Sequence, residues 1–297
     1  MMSNVPMNEA QNKKLKIIEK YILKMPSLST TTTKVIQVCS SPNTSPNDLN
    51  RVISLDPVLT AQVFKVINSA YYFQRKKVTS LTRAIIMLGI NTIKNLALST
   101  AVIKSLKMNR SFKTITPYEF WTHSICVGVS SKFIASLKGL SENTREEYFI
   151  AGFLHDLGKI PLMDCFASEY EKAIEFAKQA QCSLKRAEMV VIGIDHCTVG
   201  KMIGEKWGLN RSLTDSLFNH HNFNESDEEN KEIIASVELS NIYTKIFNIG
   251  NSGNNYYEES KIYLLFDQIK INEDAISDLK NIILGEIEKA KFFLQIC

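Results

Sequence analysis

The stretch Phe149–Ile160, Phe-Ile-Ala-Gly-Phe-Leu-His-Asp-Leu-Gly-Lys-Ile, constrains this chain most. Its apolar residues read as one buried helix. Into that run the sequence sets His155 and Asp156 side by side, with Lys159 three positions on. An ionised carboxylate inside an apolar core is costly unless a cation, a hydrogen-bond network or a metal meets it. The fold therefore has to bring a partner to Asp156. One option is an imidazole–carboxylate pair that satisfies itself. The other is a site assembled from several helices.

The histidines bear on that choice. The chain has five in 297 residues, and all lie between His123 and His221. Three stretches that read as apolar helix carry the others: Trp121–Phe133 with His123, Met189–Ile203 with His196, and Leu213–His221 ending in His220 and His221. Neutral imidazole is the commonest metal-binding side chain. Helices that each send one ligand inward are how bundle proteins build metal sites. Glu119 lies four residues before His123, on the same helical face, so it reads either as a further ligand or as a first-turn acid suited to the helix dipole.

The order His123, His155-Asp156, His196, His220-His221 resembles the metal-ligand series of the HD superfamily of phosphohydrolases. The surrounding text is similar, more specifically, to the HDOD domain, an HD-related output domain of bacterial signalling proteins. Met25-Pro-Ser-Leu, the passage from Leu55-Asp-Pro to Tyr71-Tyr72, Leu81–Gly89, Asp195-His196-Cys-Thr-Val-Gly and Lys206-Trp-Gly-Leu carry the match, which runs from Leu15 to His221. The resemblance implies an HD-like helical bundle behind an N-terminal helical lobe. It implies metal ligation by His123, His155, Asp156, His196, His220 and His221. In HD-GYP relatives, which cleave cyclic di-GMP, a lysine placed as Lys159 is contacts the substrate phosphate. Here Lys159 reads equally as a helix C-terminal cation. As an enzyme, the chain would use Asp156 and Lys159 in catalysis.

Two departures from the enzymes stand out. No Gly-Tyr-Pro tripeptide follows His221, where the text instead runs into the acidic Asn222–Asn230. The position matching the last carboxylate ligand, on a helix expected over Ile233–Phe247, carries Asn241, with Glu238 three residues earlier as a substitute. Asparagine is a neutral and weaker ligand. The resemblance thus implies a signal-transduction protein acting through a signalling partner or a nucleotide ligand, with a structural or vestigial metal site. The alternative is a metal-dependent phosphohydrolase acting on a nucleotide or cyclic dinucleotide. A nitrogen-rich ligand set suits Fe, Mn, Zn or Ni better than Mg or Ca.

Patterning along the chain is helical throughout, so the expected class is all-α. Residues 1–14 read as a polar tail, 15–108 as the N-terminal lobe and 116–297 as the HD-like lobe with the C-terminal helices. Ser45-Pro46 and Asp56-Pro57 are N-caps followed by proline at the first helical position, and Ser80 is a further cap. The second of these opens a helix expected over Val58–Tyr71. Asn248–Asn255 reads as a mobile loop. Asn272–Leu294 reads as a long helix with Ile276, Leu279, Ile283 and Ile287 as its buried stripe, packing back onto the bundle or pairing two copies into an oligomer. The segment Asn68–Phe73 followed by Arg75-Lys-Lys is a candidate surface for anions, or a solvated helix end.

Composition closes off other classes. The net charge of +4 is too even for a nucleic-acid partner. Six scattered cysteines without a C-x-x-C pair argue against a disulfide framework or a thiolate zinc site, and fit a cytoplasmic chain. Cys126 and Cys197 read as small buried hydrophobes despite their nearness to His123 and His196. No apolar run is long enough to span a bilayer.

Overall fold

A computed structural model describes residues 9–39, 41, 43–68, 77–106 and 114–285. Among them every regular element is a helix. The first six are α1 (Glu9–Lys24), α2 (Thr30–Cys39), α3 (Pro46–Ile53), α4 (Pro57–Ile67), α5 (Leu81–Leu88) and α6 (Ile90–Ser105). The next seven are α7 (Pro117–Leu137), α8 (Glu142–Leu154), α9 (Lys159–Cys165), α10 (Ala167–Gln179), α11 (Leu184–Val191), α12 (His196–Lys206) and α13 (Arg211–Asn219). Two 3-10 turns lead into α14 (Lys231–Ile246), and α15 (Glu259–Ile269) follows.

The caps work as the sequence indicates. Ser45 and Asp48 form a capping box, Asp56 accepts from the Leu59 amide, and Ser80 accepts from the Arg83 amide. Each satisfies amides that a helix start leaves open. The N-terminus departs from expectation, because helix begins at Glu9 inside the supposed polar tail. The helix expected over Val58–Tyr71 stops at Ile67, where the Asn68 side chain bonds to both the backbone N–H and the carbonyl of Val78. Tyr71, Arg75 and the rest of that aromatic and basic segment up to Lys76 lie outside the described residues.

Buried apolar side chains form two clusters. The smaller joins α2 to the first half of α6, with Val35, Leu49, Ile53, Val63, Ile85 and Ile93 at its centre. The larger takes in the rest, including Leu98 and Val102 from the second half of α6. Thus α6 belongs to both. Asn95 on α6 donates to the buried Glu146 on α8, which Lys132 of α7 also meets. The expected grouping of α1 with the first lobe does not describe its packing. Ile18 and Ile22 enter the larger cluster, Tyr21 donates to Asp164 at 2.7 Å, and Trp207 Nε1 donates to the Pro26 carbonyl at 3.3 Å. Apolar contact with α9 and α12 decides where α1 lies.

Three further expectations change. Phe149–Ile160 is not one helix: α8 ends at Leu154, His155–Gly158 turn, and α9 starts at Lys159. Met189–Ile203 also breaks, with Gly193 at φ +88° between α11 and α12. Toward the C-terminus, Asn272 caps a 3-10 turn over Glu273–Ile276, and α-helix resumes at 279 and continues to 285, the last described residue. Ile276, Leu279 and Ile283 are buried as the stripe requires, while Ile287 lies outside the described residues. Among the described residues, no single helix is long and apolar enough to cross a membrane.

Candidate metal centre

The two helix breaks build the site. Each turns a polar residue inward at a helix end rather than at mid-helix. His155 is the C-cap of α8, Asp156 lies in the turn, Lys159 opens α9, His196 opens α12 and His220 is the C-cap of α13. Only His123 projects from within a helix, α7. The 155–158 turn can sit against the start of α12 because residue 158 is glycine. A Cβ there would lie 1.9 Å from the His196 carbonyl oxygen and 2.6 Å from the Gly200 amide nitrogen.

The side chains named from the sequence converge. Asp156 Oδ2 lies 3.2 Å from His155 Nε2 and 3.9 Å from His123 Nε2. Oδ1 lies 3.5 Å from His196 Nε2 and 3.6 Å from His220 Nε2. His196 Nε2 is also 3.2 Å from His221 Nε2. His123, His155, Asp156, His196 and His220 are all buried, and His221 is half-buried.

Lys159 supplies the cation that Asp156 needs within the chain. Its Nζ donates to Asp156 Oδ2 at 2.6 Å and to the Ser252 carbonyl at 3.0 Å. The helix C-terminal reading of Lys159 does not fit this placement. It begins α9 rather than ending a helix, and its ammonium is buried on the carboxylate rather than presented to solvent. Burial alone would raise the Asp156 carboxyl; His155 and Lys159 override it and hold the group well below its usual range.

That pairing settles one carboxylate oxygen and leaves the other open. His155 Nδ1 lies 2.7 Å from the Gly152 carbonyl, and His220 Nδ1 lies 3.2 Å from the carbonyls of Ser216 and Leu217. A carbonyl only accepts, so both Nδ1 atoms carry a proton, and the neutral His220 ring presents its Nε2 lone pair. Burial drives His220 down to about 3 and also lowers His196 to about 3, so these rings are neutral at neutral pH. His123 and His221 are pushed down as well, first by burial and then by neighbouring histidines. The result is lone pairs facing an ionised carboxylate. His123 Nε2, His155 Nε2 and Asp156 Oδ1 are buried without a hydrogen-bond partner. Acceptors turned on one another across 3.5–3.6 Å suit a cation between them. The residues therefore fit a divalent metal. His123, His155 and Asp156 would form one half of the ligand set, and His196, His220 and His221 the other.

Glu188, which sequence reasoning missed, orients His196. Its Oε2 accepts from the His196 backbone amide at 2.8 Å and pairs with His196 Nδ1 at 2.6 Å, and Tyr170 donates to Oε1 at 3.0 Å. Burial pushes Glu188 up to about 8, against the lowering influence of Lys159. A carboxyl group bonded behind a ligating histidine fixes the ring's orientation. The signal was present, since Glu188 falls on the buried stripe of α11 with Leu184 and Ala187. Lys245 on α14 was missed too; burial, reinforced by Lys159, lowers its ammonium to about 8.

Glu119 and the acids after His221 fall away as ligands. Glu119 closes the capping box of α7, bonding to the Thr116 amide and hydroxyl, so it serves the helix start and not the centre. Glu238 Oε1 pairs with Lys261 at 3.1 Å, while its Oε2 is buried without a partner. Asn241 is buried on α14, which packs along α7, with Oδ1 unpartnered. Of the acids after His221, Asp227 pairs with Arg211 and Glu228 with Lys231, while Glu225 and Glu229 are exposed. The Asn/Gly-rich loop is pinned rather than loose. Asn251 bonds to Glu119 and Thr114, Asn254 to Cys182, and Gly250, at φ +67°, packs so closely on α7 that a Cβ would lie 2.4 Å from the His123 amide.

The fold is all-helical, and the buried histidines meet Asp156 in its larger half. The chain belongs to the HDOD domain family, whose model matches residues 25–223. It is similar in fold to a Marinobacter aquaeolei VT8 protein provisionally named for signal transduction, with TM-score 0.77 and 19% identity, covering 99% of this chain and 68% of that one. It is likewise similar to a provisionally named phosphohydrolase of Shewanella amazonensis SB2B, with TM-score 0.69 and 17% identity, covering 95% and 98%. Among curated proteins it is 22% identical over 218 residues to an uncharacterised Treponema pallidum (strain Nichols) protein, covering 73% of this chain. It is 30% identical over 154 residues to ribonuclease Y of Mycoplasma mycoides, covering 51% of this chain. The chain spans 42% and 29% of the length of those two relatives.

Proposed function

We propose that this chain is a regulatory HDOD protein, working through a signalling partner or a nucleotide ligand, in which a transition-metal ion braces the helices and does not turn over a phosphodiester. One observation carries the reading. The Nε2 atoms of His155 and His220 face Asp156, whose Oδ1 has no hydrogen-bond partner, in a centre whose carboxylate and four of whose imidazoles are buried. A bound ion would satisfy those acceptors and tie together α7, the α8–α9 turn, α12 and α13. Phosphodiester cleavage asks more: room for substrate at the ion and free cations to take up phosphate charge. Lys159 is already spent on Asp156 and the Ser252 carbonyl, and the pinned 248–254 loop lies over His123. Asn241 in place of a last carboxylate weakens the ligand set further. The M. aquaeolei neighbour's name accords with this reading.

The test is a product assay with cyclic di-GMP and added Mn, Fe or Ni under reducing conditions, alongside His155→Ala and Asn241→Asp. The expected result is no turnover above the His155→Ala background. Robust cleavage by the unmodified protein, abolished in His155→Ala, would establish the phosphohydrolase instead. Activity confined to Asn241→Asp would support the regulatory reading.

A further inference from the structure

Cys197 reads from the sequence as a small buried residue. The structure places its Sγ with three imidazole nitrogens: Cys197, His196, His220 and His221 each offer one ligand atom, all within 4.8 Å of one another. We propose that Cys197 is a metal ligand, so that this half of the centre is a three-nitrogen, one-sulfur site for a thiophilic ion such as zinc. The inference rests on the reading that the cluster holds an ion, and adds a residue outside the histidine–aspartate series.

The spacing of the donors supports it. A tetrahedral ion with bonds of roughly 2.0–2.1 Å to nitrogen and roughly 2.3 Å to sulfur requires nitrogen–nitrogen edges of about 3.3 Å and nitrogen–sulfur edges of about 3.6 Å. His196 Nε2 lies 3.3 Å from His220 Nε2 and 3.2 Å from His221 Nε2. Cys197 Sγ lies 4.0 Å from His220 Nε2, a few tenths of an ångström long. His196 and Cys197 come from the first turn of α12; in the metal-free chain burial, then the Asp195 carboxylate, pushes the Cys197 thiol well up, so the proton leaves on coordination. Coordination displaces the thiol proton to solvent, because the ligand is the thiolate. Cys126, three residues after His123, belongs to neither ligand group. Asp156 Oδ1 is the rival fourth ligand, at 3.5 Å from His196 Nε2 and 3.6 Å from His220 Nε2.

Cobalt(II) added to the chelator-stripped full chain separates these cases. Visible d–d bands report that the ion is bound, whatever its ligands. A near-ultraviolet sulfur-to-cobalt charge-transfer band reports sulfur. We expect both in the unmodified protein and in Cys126→Ala, and d–d bands alone in Cys197→Ser. Zinc affinity should fall about tenfold or more in Cys197→Ser, since losing even an outer partner costs roughly 10–100-fold. X-ray absorption of the zinc-loaded unmodified protein should show one sulfur in the first coordination shell, a readout that does not depend on the variant folding. The d–d bands without charge transfer, or charge transfer that persists in Cys197→Ser, would overturn sulfur ligation by Cys197 while leaving metal binding intact. Absence of d–d bands would overturn both.

Discussion

Asp156 shows how one residue can organise a site. Its Oδ2 is met by Lys159 and its Oδ1 is not met, and the second fact points to an ion. Glu188 governs the site from behind. Replacing it in Glu188→Gln keeps the size of the side chain but weakens the bond to His196 Nδ1, so metal affinity should drop roughly 10–100-fold, read by competition with a chromophoric chelator. The histidines also set a pH dependence. In the metal-free protein His196 and His220 hold a proton only near pH 3, against an ordinary value of 6.5 for an unfolded chain. Below 6.5 the unfolded chain therefore binds protons that the folded one refuses, so stability is full above that pH and falls as pH drops towards 3. The urea midpoint of stripped protein should decline between pH 7.5 and pH 5; a flat or rising midpoint would show that these rings are protonated in the fold. At this scale the sequence was highly legible. Every His and the Asp named from it reach one cluster, because a charged residue in an apolar run must be met by a partner once the run is buried. Glu188 was not foreseen because its partner lies across a helix break, and the cluster's lysine had no readable direction.

Two helix ends do the placing, and the sequence concealed them. Phe149–Ile160 and Met189–Ile203 are both apolar enough to read as unbroken helices, and apolar patterning does not mark a break made by close packing. Gly158 lets the turn at the first break pack against α12. In Gly158→Ala the new methyl would meet the His196 carbonyl and the Gly200 amide, both backbone and unable to give way cheaply. The turn and α12 must move apart, at a cost of about 1–3 kcal/mol as in other overpacked cores. That movement also separates Asp156 from His196. Chemical denaturation should register the loss, and metal affinity should fall with it; a Gly158→Ala protein with unchanged stability and affinity would refute the packing account. Caps, by contrast, were read correctly at Ser45, Asp56 and Ser80, since a cap is a local bond between neighbours in sequence. The Asn/Gly-rich 248–254 loop was misjudged for the opposite reason. Its bonds run to Thr114, Glu119 and Cys182, contacts that composition does not encode.

Across the whole molecule, two buried clusters meet at α6, and α1 braces the larger one although it leads the chain. The all-helical class was legible because period-3.6 patterning recurs through the described chain. The allegiance of α1 was not, since an amphipathic helix does not announce which partner will cover it. Ile18 is fully buried against that larger cluster. Ile18→Ala should cost about 2–5 kcal/mol, seen as a lower thermal midpoint. Because α1 touches α9 and α12, it should also loosen metal retention. An ion that binds only the folded chain stabilises it by mass action, so chelation should lower the thermal midpoint of the unmodified protein. The most direct test is elemental analysis of protein purified without a metal-affinity step, beside His220→Ala. The account predicts a transition metal near one or more equivalents per chain in the unmodified protein and a clear loss in His220→Ala. Protein that is metal-free as isolated, and that stays so after incubation with Fe, Mn, Zn or Ni under reducing conditions, would contradict it.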